Sequence, residues 1–367
     1  MVATVTTAVV LVSPQPAGGP PANGTNGSNG HSPAGGKPAA FAPVANRPLL
    51  LHVIDSLEAA GIESILFAAD ARLAPMVESV TEGVEGQGPE LRMTTFDQLT
   101  LAGALAEARS IYGPVHVLVQ FADSLGRDLD QHLRAAGAND HDALLLVSER
   151  EAQNGTVHHL NGHLAALPGL APGAGHWSPA GLAVLGPAAA ECAGALPASA
   201  THDMELVALA RRMADGGGRL EARWADDWFR MRGNPSGLLE ANRFALQGLR
   251  RDVPAGSLEG ESDVQGAVEI HPTARLESAV VRGPAVIGAG AHLMNAYVGP
   301  YSAIGDNVII DGAEVEHSII LSGSRVTHLG ERLEGSVIGP NAHVFRDFRL
   351  PHALRLNVGE GAEVSVH

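Results

Sequence analysis

The apolar positions in the first part of the chain alternate between buried strands and amphipathic helices. Residues 4–12 form a continuous β-branched and apolar run, which predicts a central strand of a parallel sheet. Residues 48–60 have apolar side chains at helical spacing, and Gly61 predicts the end of that helix. Residues 62–69 predict the next strand. The expected fold is therefore an α/β open, mostly parallel sheet of the Rossmann-like type.

The same alternation continues further along the chain. Apolar runs and helical spacing predict three more strands and one more helix, at residues 115–121, 144–147, 181–185 and 205–213. Ligands of open α/β sheets bind beyond the carboxyl ends of the strands. We therefore expect the functional site at the loop after Val12 and around Asp123.

From about residue 264 the apolar positions recur six apart. The series consists of Val264, Ile270, Leu276, Ile287, Leu293, Val298, Ile304, Ile310, Ile320, Val326, Ile338 and Val344. A period of six fits neither a helix nor an alternating strand, and it is typical of a triangular β-helix in which each step forms one side and a turn. The series predicts about five coils of a left-handed parallel β-helix of hexapeptide repeats, with breaks in phase near residues 281, 298 and 315.

These patterns divide the chain into two domains. Residues 1–245 are expected to form the α/β domain, residues 246–262 a linker and residues 263–367 the β-helix. Residues 14–36 consist almost entirely of Pro, Gly, Ala, Asn and Ser. Such a composition cannot bury apolar surface, so we expect a flexible loop there.

Composition and charge exclude several classes of function. The net charge of −16 argues against a nucleic-acid partner, because phosphate backbones are bound by clustered Lys and Arg. A single cysteine, Cys192, excludes a disulfide framework and a Cys-based zinc site. No apolar run is long enough to span a membrane, and no Lys or Arg precedes Lys37 as a signal peptide would require. We expect a cytoplasmic protein without a membrane partner.

Several segments resemble a known family. Residues 41–49 (FAPVANRPL) are similar to the start of sugar-1-phosphate nucleotidyltransferases, and residues 233–243 (GNPSGLLEANR) to the end of their catalytic domain. Residues 298–305, 315–319 and 354–359 resemble the long form of glucose-1-phosphate thymidylyltransferase. The resemblance covers nearly the whole chain and implies a nucleotide or a sugar phosphate as ligand.

The resemblance also implies a reaction and the residues that it needs. In this family a sugar phosphate oxygen attacks the α-phosphorus of a nucleoside triphosphate, and pyrophosphate leaves. Two anions must approach while charge builds on the leaving group, so catalysis depends on positioning and on cations. The family supplies a glycine-rich loop with an arginine, two lysines, and two aspartates that bind Mg²⁺.

The metal-binding positions of the family are only partly present. Asp123, in the segment FADS, matches the first metal aspartate. The second falls two residues before Gly233, where the chain has Met231. Asp226 or Asp227 is the nearest carboxylate that could substitute for it. A lone carboxylate holds Mg²⁺ poorly, because the ion requires several oxygen ligands.

The phosphate-binding positions are altered as well. The loop after the first strand contains Gly18 and Gly19 but also prolines, which lack the N–H donors that phosphates need. The first family lysine falls on Ala39, and Lys37, two residues earlier, is the only lysine of the chain. Gly103 is the one residue retained from a further nucleotide-binding segment of the family.

Three hypotheses follow, from different classes of function. The first is a non-catalytic homologue that acts through ligand sensing or assembly, its β-helix pairing with a second copy or with an active relative. The second is an active nucleotidyltransferase that makes a nucleotide-activated sugar such as dTDP-glucose, using Mg²⁺, Asp123, Lys37 and Asp226 or Asp227. The third is a hexapeptide-repeat acyltransferase with a β-helix histidine as the base.

Overall fold

The computed structural model describes most of the chain. The described residues are 5–14, 38–84, 86, 88–127, 129–138, 141–148, 178–194, 196, 201–225, 227–231, 235–254, 257–347 and 356–357. They divide into two compact units. The first comprises Met1–Pro21 and Leu49–Met231, and the second Ala22–Pro48 and Arg232–His367.

The helices of the described residues are α1 (Leu49–Ala59), α2 (Ala74–Thr81), α3 (Leu101–Tyr112), α4 (Leu129–Ala138), α5 (Ala188–Ala193), α6 (His202–Asp215) and α7 (Pro235–Leu246). The strands before residue 250 are β1 (Thr7–Val12), β2 (Pro43–Val44), β3 (Arg47–Pro48), β4 (Ser64–Asp70), β5 (Glu90–Phe96), β6 (Val117–Phe121), β7 (Ser124–Gly126), β8 (Ala143–Ser148), β9 (Ser178–Leu185), β10 (Leu220–Trp224) and β11 (Trp228–Arg230). A short 3-10 helix spans Ala39–Phe41.

The first unit is built on a seven-stranded sheet with the order β10-β8-β9-β6-β1-β4-β5. All pairs are parallel except those of β9, which runs antiparallel to β6 and β8. This confirms the predicted open, mostly parallel sheet. All six residues of β1 are buried, as expected for a continuous apolar run at the centre of such a sheet.

One face of this sheet packs against α3, α5 and α6. The buried apolar side chains of α3 and α6, such as Leu105 and Leu209, form one core with Val119 of β6. Burying a leucine side chain stabilises the fold by about 1.5–3 kcal/mol, so this layer holds the N-termini of α3 and α6 firmly in place. The charged edge strand β5 has a weak apolar pattern, and it was not predicted.

The strands of the second unit after residue 250 are β12 (Leu258–Glu259), β13 (Asp263–Gln265), β14 (Val268–Ile270), β15 (Arg275–Glu277), β16 (Val280–Arg282), β17 (Ala285–Ile287), β18 (His292–Met294), β19 (Tyr297–Val298), β20 (Ser302–Ile304), β21 (Ile309–Asp311), β22 (Glu314–Glu316), β23 (Ile319–Ile320), β24 (Arg325–Thr327), β25 (Leu333–Glu334), β26 (Val337–Ile338), β27 (His343–Phe345) and β28 (Leu356–Asn357). They form three sheets, in which every third strand pairs in parallel apart from the antiparallel β27–β28 pair. This is a parallel β-helix, as predicted.

The breaks in the six-residue phase reflect the length of one coil. Val264, Val281, Val298 and Val315 are register partners in successive coils, so one coil takes 17 residues and one of its sides is a residue shorter than six. Every aliphatic residue of the predicted series is buried in the β-helix core. The inward-facing positions were therefore predicted correctly.

One corner of the β-helix requires the left-handed backbone conformation in each coil. Gly260, Ser278, Asn295, Gly312 and His328 occupy this corner, with φ between 47° and 63°. Glycine and asparagine adopt this conformation at low cost, which explains why they recur there.

Residues that the sequence assigned to the α/β domain group instead with the β-helix unit. The Asn242 side chain of α7 accepts a hydrogen bond from the Ala45 N–H at 2.9 Å and donates one to the Tyr301 carbonyl at 3.0 Å. Asn46 Nδ2 donates to the Ile304 carbonyl at 2.6 Å. These bonds attach α7 and the β2–β3 hairpin to the β-helix. The boundary near residue 245 therefore differs from the observed division.

Candidate functional site

The turn after β6 lies at the carboxyl end of the central strands and carries Asp123. Ala122 N–H donates to the Leu11 carbonyl of β1 at 3.0 Å, which ties the turn to the neighbouring strand. The buried Gln120 side chain donates to the Ser124 carbonyl at 3.1 Å, and Ser124 Oγ donates to the Phe121 carbonyl at 2.6 Å. Both bonds hold the turn in a single conformation.

Asp123 forms an ion pair with Arg230. Arg230 Nε lies 3.2 and 3.3 Å from the two carboxylate oxygens of Asp123. Arg230 Nη1 lies 2.6 and 2.7 Å from the two oxygens of Asp203. The Arg230 side chain is only 9% exposed, so one buried guanidinium is shared by two carboxylates.

The protein positions this arginine from several sides. Arg230 ends β11, which pairs antiparallel with β7 so that Arg230 lies opposite Ser124. Its guanidinium lies over the Phe121 ring at 4.9 Å, a favourable cation–π geometry. Asp203 stands in the first turn of α6, where the helix dipole stabilises a negative charge.

Burial dominates the electrostatics of Asp123. Desolvation raises the pKa of this carboxyl above its ordinary value of 3.8, and the Asp203 carboxylate raises it further. The Arg230 guanidinium opposes both effects through its charge and its hydrogen bond, but the pKa remains raised. Asp123 is therefore a group whose charge depends on Arg230.

Met231, where the resemblance implies the second metal aspartate, adjoins Asp123. The Met231 N–H donates to the Asp123 carbonyl at 2.7 Å, and the Met231 side chain is fully buried. The side chain at this position is therefore a buried thioether, which offers no carboxylate oxygen.

Asp227 does not replace the missing aspartate. Its carbonyl accepts a hydrogen bond from the Arg127 N–H, at the end of the β7–β11 ladder away from Asp123. The intervening strand of about 3.3 Å per residue places Asp227 roughly 13 Å along the backbone from Met231. Asp226, the other proposed substitute, lies outside the described residues.

The described residues do not fit the Mg²⁺ that the resemblance implies. Mg²⁺ requires near-octahedral oxygen coordination at about 2.0–2.1 Å, and at least one free carboxylate edge. Both oxygens of Asp123 instead face Arg230. In the part of the chain that the structure describes, no three His, Cys, Asp or Glu side chains are grouped as metal ligands would be.

The N-terminus of α3 is occupied by side chains of the chain itself. Gly103 lies in its first turn, and its N–H donates to the Oγ1 of the N-cap residue Thr100 at 3.1 Å. The Leu101 N–H donates to Glu205 Oε2 at 2.8 Å. Glu205 also contacts His202 Nδ1 at 2.9 Å. Helix N-termini bind anions through such N–H groups, and here a buried carboxylate takes that role.

Four of the predicted site residues cannot be placed. Lys37, Gly18, Gly19 and Asp226 lie outside the described residues. Ala39, where the resemblance implies the first lysine, begins the 3-10 helix of the second unit. The structure places Asp123 after β6, Gly103 in the first turn of α3 and Asp227 just before β11.

Sequence reasoning missed Arg230, Asp203 and Glu205. The one available signal was the replacement at position 231 next to an arginine, since an apolar residue and a cation stand together where a carboxylate was expected. Nothing in the sequence connected Arg230 or Met231 with Asp203 and Glu205 in the first turn of α6.

Comparison with known proteins finds relatives that are similar over most of the chain. No family model matches the chain. It is 27% identical over 334 residues to a glucose-1-phosphate thymidylyltransferase of Streptomyces antibioticus, covering 88% of this chain and 92% of that protein. It is 26% identical over 332 residues to the protein of the same name from Streptomyces griseus, covering 88% of this chain and 92% of that protein. This chain is a homologue of the sugar-1-phosphate nucleotidyltransferases.

A more distant relative and a solved structure are also similar to the chain. The homologue is 25% identical over 342 residues to the low-salt glycan biosynthesis nucleotidyltransferase Agl11 of Haloferax volcanii, covering 90% of this chain and 94% of that protein. A crystal structure from Bacillus anthracis, assigned as a glucose-1-phosphate thymidylyltransferase, aligns with a TM-score of 0.49 at 16% identity. The alignment covers 68% of this homologue and 97% of that chain.

Among the described helices, none has the length and apolar character needed to cross a membrane. Two β-helix histidines contact nearby polar side chains: His292 lies 2.7 Å from Glu277 of the preceding coil, and His271 lies 2.9 Å from Thr273. The histidine base of the acyltransferase hypothesis therefore gains no support from these two residues.

Proposed function

We propose that this homologue has lost nucleotidyl transfer and acts by binding, as a sensor of a nucleotide or sugar phosphate or as an assembly partner. The observation that carries the proposal is Met231. It adjoins Asp123 through a backbone hydrogen bond of 2.7 Å, yet it supplies a buried thioether where the family has a metal-binding carboxylate.

The chemistry of the family makes this replacement decisive. The leaving pyrophosphate gains charge in the transition state, and cations at the phosphates are the main source of its stabilisation. Mg²⁺ at phosphate sites is held by only one or two protein carboxylates together with the substrate phosphates, so losing one of two halves the number of carboxylates that hold the ion. The chain also contains a single lysine and has Ala39 at the family's first lysine position.

The start of α3 supports the same proposal. The Leu101 N–H is bonded to Glu205, and the Gly103 N–H is bonded to Thr100. A nucleotide group that binds these amides would have to displace the buried Glu205 carboxylate from Leu101 and the Thr100 hydroxyl from Gly103. Such displacement costs a hydrogen bond to a charged group, about 1.5–3 kcal/mol.

An active nucleotidyltransferase is the second candidate, because Asp123 remains at the carboxyl end of β6 and the curated relatives carry enzyme names. In that case the product is a nucleotide-activated sugar such as dTDP-glucose, and Asp123 and Lys37 contribute to the site.

Pyrophosphate release separates the two candidates. The full chain is incubated with glucose-1-phosphate, Mg²⁺ and each common nucleoside triphosphate, with the Streptomyces antibioticus relative as a positive control. We expect no release above that of Asp123→Asn. Release that requires the sugar phosphate and disappears in Asp123→Asn would contradict the loss of catalysis.

Ligand sensing and assembly have their own measurements. Thermal unfolding of the full chain with dTTP, dTDP-glucose or glucose-1-phosphate reports binding as a rise in Tm. Light scattering at several concentrations, alone and mixed with the active relative, reports pairing through the β-helix. A chain that shows neither a Tm rise nor association would contradict the proposed binding role.

A further inference from the structure

We infer that the guanidinium of Arg230 takes the place of a divalent cation at Asp123, so that this site is neutralised from within the chain and binds no Mg²⁺. The inference extends the proposed function, because a site without Mg²⁺ would explain the loss of catalysis. Its test measures metal binding and does not depend on measuring catalytic activity.

The geometry of Arg230 matches the role of a bridging cation. Its Nε approaches both oxygens of Asp123, and its Nη1 approaches both oxygens of Asp203. A metal ion commonly joins two carboxylates in this way, and the planar guanidinium is well suited to do so because it presents fixed donors along two edges.

The site also holds the guanidinium rigidly. The Arg230 side chain is 9% exposed and lies over the Phe121 ring, while its backbone belongs to the β7–β11 pair. A buried, hydrogen-bonded arginine keeps its charge at all accessible pH values. A divalent cation approaching Asp123 would therefore meet a permanent positive charge within a few ångströms.

The two neighbouring residues at positions 230 and 231 support this exchange. Met231 removes a carboxylate from the family's metal site, and the adjacent Arg230 supplies a cation to the carboxylate that remains. Without Arg230, Asp123 and Asp203 would be two partly buried carboxylates facing each other across the space of one guanidinium. Such a pair is a ready site for a hard divalent cation.

Metal binding by the full chain tests the inference directly. Mn²⁺ is titrated into the wild type and Asp123→Asn and followed by electron paramagnetic resonance. We expect no Mn²⁺ bound by the wild type beyond that bound by Asp123→Asn. One Mn²⁺ per chain that is lost in Asp123→Asn would overturn the inference, whatever the pyrophosphate assay shows.

Removing the guanidinium tests the exchange from the other side. In Arg230→Met we expect Mn²⁺ or Mg²⁺ to raise Tm, by about 3–6 °C at tenfold excess over Kd, and we expect no rise in Arg230→Met/Asp123→Asn. Arg72→Met is the matched control, since Arg72 also pairs with an aspartate but is 74% exposed. If folded Arg230→Met shows no rise in Tm with either Mn²⁺ or Mg²⁺, the inference that Arg230 takes the place of a divalent cation is wrong.

Two measurements keep the test decisive. If Arg230→Met does not fold, the wild-type Mn²⁺ titration still decides whether the site binds metal, and Arg230→Lys provides a smaller cation for the Tm measurement. Absence of pyrophosphate release together with one bound Mn²⁺ would reject the inference and leave the proposed function standing. Release without Mn²⁺ binding would reject the proposed function alone.

Discussion

The backbone N–H of Met231 donates a hydrogen bond of 2.7 Å to the carbonyl oxygen of Asp123. In the proposed function, this bond keeps side by side the two positions at which the resemblance implies metal-binding aspartates. The charge of Asp123 is balanced by Arg230, which also pairs with Asp203.

Removing the Arg230 guanidinium should strongly destabilise the first unit. Arg230→Met removes the cation from two partly buried carboxylates, and breaking a fully buried pair of this kind costs about 3–5 kcal/mol, which sets the upper limit here. Urea unfolding measures the loss. We expect the triple variant with Asp123→Asn and Asp203→Asn to recover a large part of it, because no buried charge then remains unpaired. A single-variant loss below about 1 kcal/mol would contradict the network.

Asp123 should make the stability fall as pH rises over a defined window. Its folded pKa is raised above 3.8 by burial, so the folded chain binds more protons than the unfolded chain between 3.8 and the folded pKa. Stability is therefore greatest below that window and decreases as pH rises through it. The free energy of unfolding, measured from pH 3.5 to 7, should lose this component in Asp123→Asn. An unchanged pH profile in that variant would refute the assignment.

Gly126 should tolerate no side chain. A Cβ at this position would overlap the ring carbons of Trp228, which packs flat against it and donates its indole N–H to the Ala180 carbonyl. Gly126→Ala must displace Trp228 and loosen the β7–β11 pair, at a cost of about 1–3 kcal/mol. Tryptophan fluorescence and urea unfolding report both effects. Gly83→Ala, at an open and exposed position, should leave both unchanged.

Asn242 should be essential to the second unit. Its buried side chain bonds to the Ala45 N–H and the Tyr301 carbonyl, so Asn242→Ala leaves both backbone groups without that partner. Each unsatisfied buried group costs about 1–3 kcal/mol. Thermal unfolding should show a clear fall in Tm, whereas Glu331→Ala at an exposed position serves as the control. Equal Tm values for the two variants would show that the bonds do not contribute.

The β-helix was predictable because its repeat is local. Inward-facing aliphatic residues recur along the chain at a spacing that is set by the length of one side of the coil. Each coil stacks directly on the next, so that Ile304 lies between Ile287 and Ile320. The strands β1, β4 and β6 were predictable for a similar reason, since a continuous apolar run signals burial on both faces.

The domain boundary and the polar network were not predictable in this way. Residues 43–48 group with the β-helix, to whose backbone Asn46 and Asn242 bond, and these partners are 258 and 59 residues away in sequence. No local pattern reports such bonds.

The sequence by itself determined that position 231 is a methionine and that the chain has one lysine, from which the resemblance predicts a site without a second carboxylate and without lysines at the phosphates. Only the tertiary structure decided what neutralises the aspartate that remains. Asp123 and Asp203 are 107 and 27 residues away from Arg230 in sequence. They meet because β7 pairs with β11 and because α6 begins beside the carboxyl end of β6. Electrostatic attraction depends on the distance between charges in the folded chain and not on their separation in sequence, so only the fold could show that Arg230 pairs with Asp123 and Asp203.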